Sequence, residues 1–479
     1  MLTARICSIL WFVAFLSGSL STLPRHSCPN RLIIKPCMCA VKPKGINLSC
    51  EDMKVEELQQ VLHNIAKIGE RIWYLKFKNN ELTIFPSGLL QGLDVLHFMA
   101  HYSDITTVVD AAFSYLGDKL KFLDLSHNSL EQVPSKALES LAELTSLNLN
   151  YNKIKTLHAN AFKGLTSLIR LSLYGNRIKL VDNLAFASVG VNLTRLNLGS
   201  NLLSHIPSPA FEVFQNLQRL QLRENQITAL DSEGFQGIGN SLDALDLSYN
   251  MIENIPEKCF VNLRKLDSLE IENNRISNIH NQAFDGVSGS LEWLKLGNNA
   301  LDYIPSEAFK QMNKLRELDL RGNNISKIPE DAFKSYGQDL KFIYLQENRI
   351  ETVDPTSFQD LQSLQWLHLH SNHLTSLPYE TYIPVLDTLQ ILDIHDNPFH
   401  CDCKIAWFHN WISEQGKTIV QHSENTLCYT PRKLHLIAVK DISSSYLSCT
   451  SVANIQHSHL HILSFVSTVM FIVSRLLLR

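Results

Sequence analysis

The sequence predicts an α/β repeat solenoid: a stack of short similar units that builds one long parallel sheet, closed at each end by a cysteine-rich cap. Three observations predict it. A pattern L-x-x-L-x-L-x-x-N-x-L recurs through most of the chain at intervals of 24 to 25 residues. Eight of the ten cysteines fall in two clusters, one before the first copy and one after the last. Apolar segments stand at both ends of the 479 residues. Composition agrees. With 45% hydrophobic and 19% charged residues, and only 19 Gly and 16 Pro, the chain is not disordered, collagen-like or a polytopic membrane protein. The net charge, 43 − 47 = −4, gives no global sign of a nucleic-acid partner.

The elements follow in chain order. Met1 to Ser21 has the layout of a secretory signal peptide: Arg5, an apolar core from Ile6 to Leu16, and small residues Ser19 and Ser21 at the cleavage site. Its apolar run is shorter than the ~20 residues a bilayer requires, and cleavage removes Cys7. A secreted chain makes disulfides the reading of the remaining clusters, with zinc the competing one. Cys28, Cys37, Cys39 and Cys50 precede the repeats. Val55, Leu58, Val61, Leu62 and Ile65 then have helical spacing and predict a helix packed on the first repeat.

Clean copies of the repeat are Leu144, Leu147, Leu149, Asn152, Ile154 and Leu315, Leu318, Leu320, Asn323, Ile325. The Asn recurs as Asn80, Asn128, Asn152, Asn176, Asn201, Asn225, Asn250, Asn274, Asn299, Asn323, Asn348, Asn372 and Asn397; a degenerate copy (Phe98, Ala100, Ser103, Ile105) makes fourteen. The alternating x-L-x-L-x segment predicts a short strand with one buried face. The Asn stands where the chain turns, and its amide can satisfy backbone groups that no neighbouring strand reaches. Ile-Pro and Ala-Phe elements (Ile206-Pro207, Ala210-Phe211; Ile328-Pro329, Ala332-Phe333) supply a second core layer. No copy can bury its leucines alone, so neighbours must stack. Cys259 takes a slot where other copies have Ala and reads as a buried free thiol, with an intermolecular disulfide as the alternative.

After the last copy come Asn397-Pro398, Cys401, Cys403, Trp407, Trp411, Cys428, Pro431 and Cys449. Small residues Ser451 and Ala453, a polar spacer from Asn454 to His461 and the apolar run Ile462 to Leu478 have the layout of a GPI-attachment signal, with Ser451 the expected attachment residue. A transmembrane helix with Arg475 and Arg479 at its cytoplasmic end is the alternative, and a secreted form is a third. Either membrane reading implies no cytoplasmic domain.

The recurring pattern resembles the leucine-rich repeat, which implies a horseshoe with a parallel concave sheet and about fourteen repeats over residues 72–400. The cysteine clusters, over 22–71 and 401–449, resemble the caps of extracellular members of that class. The resemblance implies the pairs Cys28–Cys39 and Cys37–Cys50, and Cys401–Cys428 and Cys403–Cys449; spacing alone leaves three connectivities for each cap. After Asn176 the intervals alternate between 25 and 24, and most long copies carry an added Gly (Gly190, Gly239, Gly289, Gly337). This alternation, with the GPI-like tail, resembles the chaoptin and connectin type of adhesion protein.

No catalytic motif is present, so neither an enzyme nor a cofactor is expected. Strand alternation instead places candidate residues on the sheet's open face. Arg170, Arg195 and Arg219 share one slot in three successive strands, followed by an acidic stretch, Asp246, Glu270 and Glu272. Trp293, Phe342, Tyr344 and Trp366 form an exposed aromatic band, and aromatics with Arg are typical interface anchors. His368, His370, Asp393 and His395 fall together as a patch that can bind a divalent metal or charge at mildly acid pH, or serve simply as a solvated polar face. Sequons stand at Asn47, Asn192 and Asn324. The implied function is a glycosylated cell-surface protein on the outer face of the plasma membrane, which mediates adhesion or recognition of an extracellular protein or of a second copy of itself. A co-receptor for a soluble protein ligand and a matrix-binding structural protein are the alternatives.

Overall fold

The computed structural model describes residues 26–415 and 420–447. The expected signal peptide, Cys449, Ser451, the polar spacer and the hydrophobic tail lie outside them. The chain forms two compact units, one running to Leu202 and including Pro209–Leu217, the other built from Leu203–Ser208 and Gln218 onward.

The sheet of the first unit runs in the order Met38–Lys42, Gly45–Glu51, Arg71–Lys78, Asp94–His101, Phe122–Asp124, Ser146–Asn148, Arg170–Ser172 and Arg195–Asn197. The repeat strands are parallel and in register, so Leu123, Leu147, Leu171 and Leu196 stack as one buried row. The parallel sheet expected from the repeat meets one exception: Met38–Lys42 pairs antiparallel to Gly45–Glu51, because a hairpin needs only a tight turn where a parallel neighbour needs a crossover. This edge belongs to the cap, where Cys28 is bonded to Cys39 and Cys37 to Cys50. The helix Val55–Ala66 buries Leu58, Val61, Leu62 and Ile65 along one stripe. Its entry is pinned to the first repeat: the Met53 N–H donates to Asn80 Oδ1 at 2.9 Å.

The second unit carries Arg219–Gln221, Ala244–Asp246, Ser268–Glu270, Trp293–Lys295, Glu317–Asp319, Phe342–Tyr344, Trp366–His368 and Ile391–Asp393, all parallel. Behind them Phe235, Phe260, Phe284 and Phe309 form a buried column with ring centroids 5.7–6.0 Å apart. Each such side chain contributes about 1.5–3 kcal/mol by leaving water, and most of that burial is against the next repeat. Cys259 is a free thiol buried in this layer, its pKa raised by burial. The unit closes on the helix Ala406–Gln415, which buries Phe408 and Ile412. Trp407 Nε1 donates to the Leu377 carbonyl at 2.7 Å. Cys401 is bonded to Cys428, and Cys403 is also disulfide-bonded.

The ladder asparagines perform the backbone task that their position suggested. Asn152 Nδ2 donates to the carbonyls of Leu125 and Leu149 (2.9 and 3.1 Å), while its Oδ1 accepts the Leu130 N–H at 3.0 Å. Asn323 repeats the arrangement with Leu296, Leu320 and Leu301. In the degenerate copy Ser103 stands in. Its hydroxyl accepts the Asn80 N–H at 3.2 Å, and its own N–H donates to Asn128 Oδ1. The strand there is complete, with Phe98 and Ala100 buried.

Two of the added glycines are obligatory. A Cβ on Gly239 would lie 1.7 Å from the Asn262 carbonyl oxygen, and one on Gly190 would lie 2.4 Å from that of Val213. Gly289 meets nothing within 4 Å, so close packing does not account for it.

Candidate functional site

Each repeat strand buries its central leucine and turns the flanking residues to the sheet's open face. In the first unit this sets Arg170 directly opposite Arg195. Both are exposed, and among the described residues neither has an ion-pair partner. Like charges across a parallel pair oppose sheet formation. The third expected member of this row, Arg219, is exposed and begins the sheet of the second unit, opposite Ala244.

In the second unit several open-face charges are paired. Lys295 Nζ lies 3.1 Å from Glu270, its neighbour on the adjacent strand. Arg321 bridges Glu272 at 2.6 Å and Asp319 at 3.1 Å. The span from Arg321 to Glu272 is 49 residues, two repeats. Arg321 packs closely over Gly297, where a Cβ would lie 3.0 Å from Arg321 Cγ. Asp246, Glu270 and Glu272 are therefore not a free acidic stretch: Arg223 lies 4.0 Å from Asp246, and the two glutamates are paired. Burial pushes Asp319 up to about 6, against the opposing effect of the Arg321 N–H and guanidinium. Burial also raises Glu317 and Asp246 above the usual carboxylate range.

The expected aromatic band forms two rows. Trp293 and Phe342 stack at 6.3 Å across the intervening Glu317 strand, and Phe342 meets Trp366 edge-on at 4.8 Å. Tyr344 lies in the other row, stacked on His368 at 5.1 Å. Burial pushes the Tyr344 phenol up to about 12. All four residues are half-buried rather than exposed, because neighbouring rings cover one another. The next strand sets Asp393 beside His368, with Oδ2 3.7 Å from His368 Nδ1, while Asp393 Oδ1 meets His395 Nδ1. The His370 and His395 rings stack at 4.5 Å. Burial lowers the His370 pKa. Asp393 is raised by burial, but hydrogen bonds with His368 and His395 outweigh this and leave it lowered.

Strand alternation overlooks two features. Trp73, Tyr74, His97 and Phe122 form a second aromatic group on the first unit's sheet, with Lys44 4.7 Å over Trp73. Tyr102, His127 and Tyr151 stack at 4.4 Å intervals along the turn edge. Each of these three precedes the Asn, or Ser103, of its copy and has positive φ, which throws its side chain clear of the sheet. Aromatic residues immediately before three consecutive ladder positions are the sequence signal for that edge. Of the sequons, Asn192 is exposed and Asn324 half-buried; Asn47 sits within a paired strand, with its Oδ1 buried.

The family model described as Leucine rich repeat matches in overlapping segments over 101–154, 118–178, 143–190, 191–242, 215–276, 264–325 and 314–374. Toll-like receptor 3 of Mus musculus is 34% identical over 91 residues, 19% of this chain and 9% of that protein. Among solved structures, the TLR13–ssRNA13 complex aligns with TM-score 0.66 at 25% identity, covering 82% of this chain and 60% of the other. A chain of the octameric complex of Latrophilin 3, Unc5D and FLRT2 (LRR) aligns with TM-score 0.54 at 26% identity, covering 67% of this chain and 94% of the other. The chain spans less than half the length of the curated relatives it matches. Among the described residues no helix is long and apolar enough to cross a membrane. The chain shares the fold of these solved structures, and it belongs to the leucine-rich repeat family.

Proposed function

We propose that this chain is a cell-surface adhesion or recognition protein, without enzymatic activity, that binds an extracellular protein across its open sheet face. One observation carries the reading: Arg170 and Arg195 face each other, exposed and, among the described residues, without an ion-pair partner. Such a pair works against the fold, so its natural complement is an acidic or hydrogen-bonding surface on a partner. The half-buried rings of Trp293, Phe342 and Trp366 offer anchors of the kind that dominate protein interfaces. A neighbouring fold in a Latrophilin 3–Unc5D–FLRT2 assembly supports a protein partner, as does the net charge of −4. The resemblance to chaoptin and connectin, with the GPI-like tail, favours anchored adhesion, where many weak contacts gain avidity.

Cells expressing the full chain, tagged after Ser21, test this when mixed with labelled non-expressing cells. Clustering among expressing cells alone supports homophilic adhesion; recruitment of labelled cells supports a heterophilic partner. Dispersed cells that display the tag would overturn the adhesion reading in favour of a receptor for a soluble ligand. Release of the tag by phosphatidylinositol-specific phospholipase C supports the GPI anchor, and retention supports the transmembrane alternative.

A further inference from the structure

The polar end of the second unit's sheet holds a group of side chains that the recognition reading does not use. His368 ends the strand Trp366–His368, and His370 follows two residues later, in the chain that leaves it. Asp393 lies directly opposite His368 on the adjacent strand. One ligand atom from each of His368, His370 and Asp393 lies within 4.8 Å of the other two. We propose that these three residues bind a zinc-class divalent ion.

The chemistry of the set selects the metal. Two imidazoles and one carboxylate suit zinc and its transition-metal relatives, whereas calcium and magnesium take oxygen donors. A tetrahedral zinc ion with bonds of about 2.0–2.2 Å sets its ligand atoms about 3.4 Å apart. The observed spread of up to 4.8 Å must therefore close on binding.

The surroundings orient each ligand. The Asp393 carboxylate divides its oxygens: Oδ1 is held by His395, and Oδ2 faces His368 Nδ1 at 3.7 Å. This is the outer-shell arrangement that fixes a ligating carboxylate, and it makes His395 a positioning residue. The His370 ring is clamped against that of His395 at 4.5 Å. Its Nδ1 lies 3.1 Å from Ser371 Oγ, which leaves Nε2 as the ligating atom. The His368 ring rests on Tyr344, at 5.1 Å and 16° from parallel. Three protein ligands leave a fourth position for water or another donor.

Calorimetric titration of the full chain with zinc chloride, and with cobalt(II) chloride read by visible absorption, tests the site at neutral pH. The expected result is one ion per chain, a cobalt spectrum of tetrahedral type and no competition from magnesium. His370→Gln and Asp393→Asn should each weaken zinc binding at least tenfold, and His127→Gln should leave it unchanged. His395→Gln should weaken it less than either ligand substitution. Circular dichroism identifies any variant that fails to fold, and His368→Gln then carries the same expectation. Absence of stoichiometric binding by the wild-type chain, or unchanged affinity in a folded ligand variant, would overturn the proposal.

Discussion

Two arginine environments on the same kind of sheet separate what the fold needs from what it leaves over. In the second unit Arg321 reaches across two repeats to Glu272 while also holding Asp319, and it packs over Gly297. In the first unit Arg170 and Arg195 stand opposite one another and, among the described residues, have no ion-pair partner. The former network compensates carboxylates that the sheet has partly desolvated. The latter pair sets two exposed like charges side by side, an arrangement that does not favour the sheet. Exposed charge on a repeat protein is thus no guide to binding until its local pairing is known, and here the pairing points to the first unit.

The ladder asparagines set the scale for that comparison, since both units contain them. Asn152→Ala and Asn323→Ala should each destabilise by about 2–3 kcal/mol, because each leaves buried backbone groups without partners. Hydrogen exchange should show the loss concentrated in the unit that carries the substitution.

Acidity separates the two regions next. Asp319, raised to about 6, binds its proton more readily folded than unfolded. Its contribution to stability is therefore full below about pH 4, falls as pH rises through 6 and stays low above that. Glu317 and Asp246 act in the same direction. Asp319→Asn should flatten this part of the pH dependence in urea unfolding; an unchanged profile would show that Arg321 dominates burial.

Arg321→Ala should cost about 1–2 kcal/mol, since Glu272 and Asp319 lose their shared partner. Arg195→Ala should change stability by no more than about 0.5 kcal/mol. Equal losses for these two substitutions in thermal unfolding would dissolve the distinction between structural and available arginines.

The repeat itself was legible because its period expresses simple geometry. The alternating leucines, the ladder amides and the Ala-Phe layer follow from strand alternation and backbone satisfaction alone. Other features depend on neighbours that no single copy specifies. Ser103 replaces an amide by a hydroxyl, and only the Asn80 N–H beside it shows that the role survives. Glu317 separates Trp293 from Phe342, and the rings cover one another. The Tyr102–His127–Tyr151 edge arises from left-handed backbone at residues that strand alternation does not count. The Arg321–Glu272 bridge spans two repeats and runs close over Gly297.

The central claim is that the open sheet face of the first unit, with Arg170 and Arg195, binds the partner. Its most direct test compares surface-matched cells carrying wild-type chain, Arg170→Glu with Arg195→Glu, or Lys334→Glu, an exposed substitution outside the sheet strands, in the mixed-cell clustering assay. The account predicts that the double arginine variant folds, reaches the surface and no longer clusters, while Lys334→Glu clusters like wild type. Undiminished clustering by the folded double variant would contradict it.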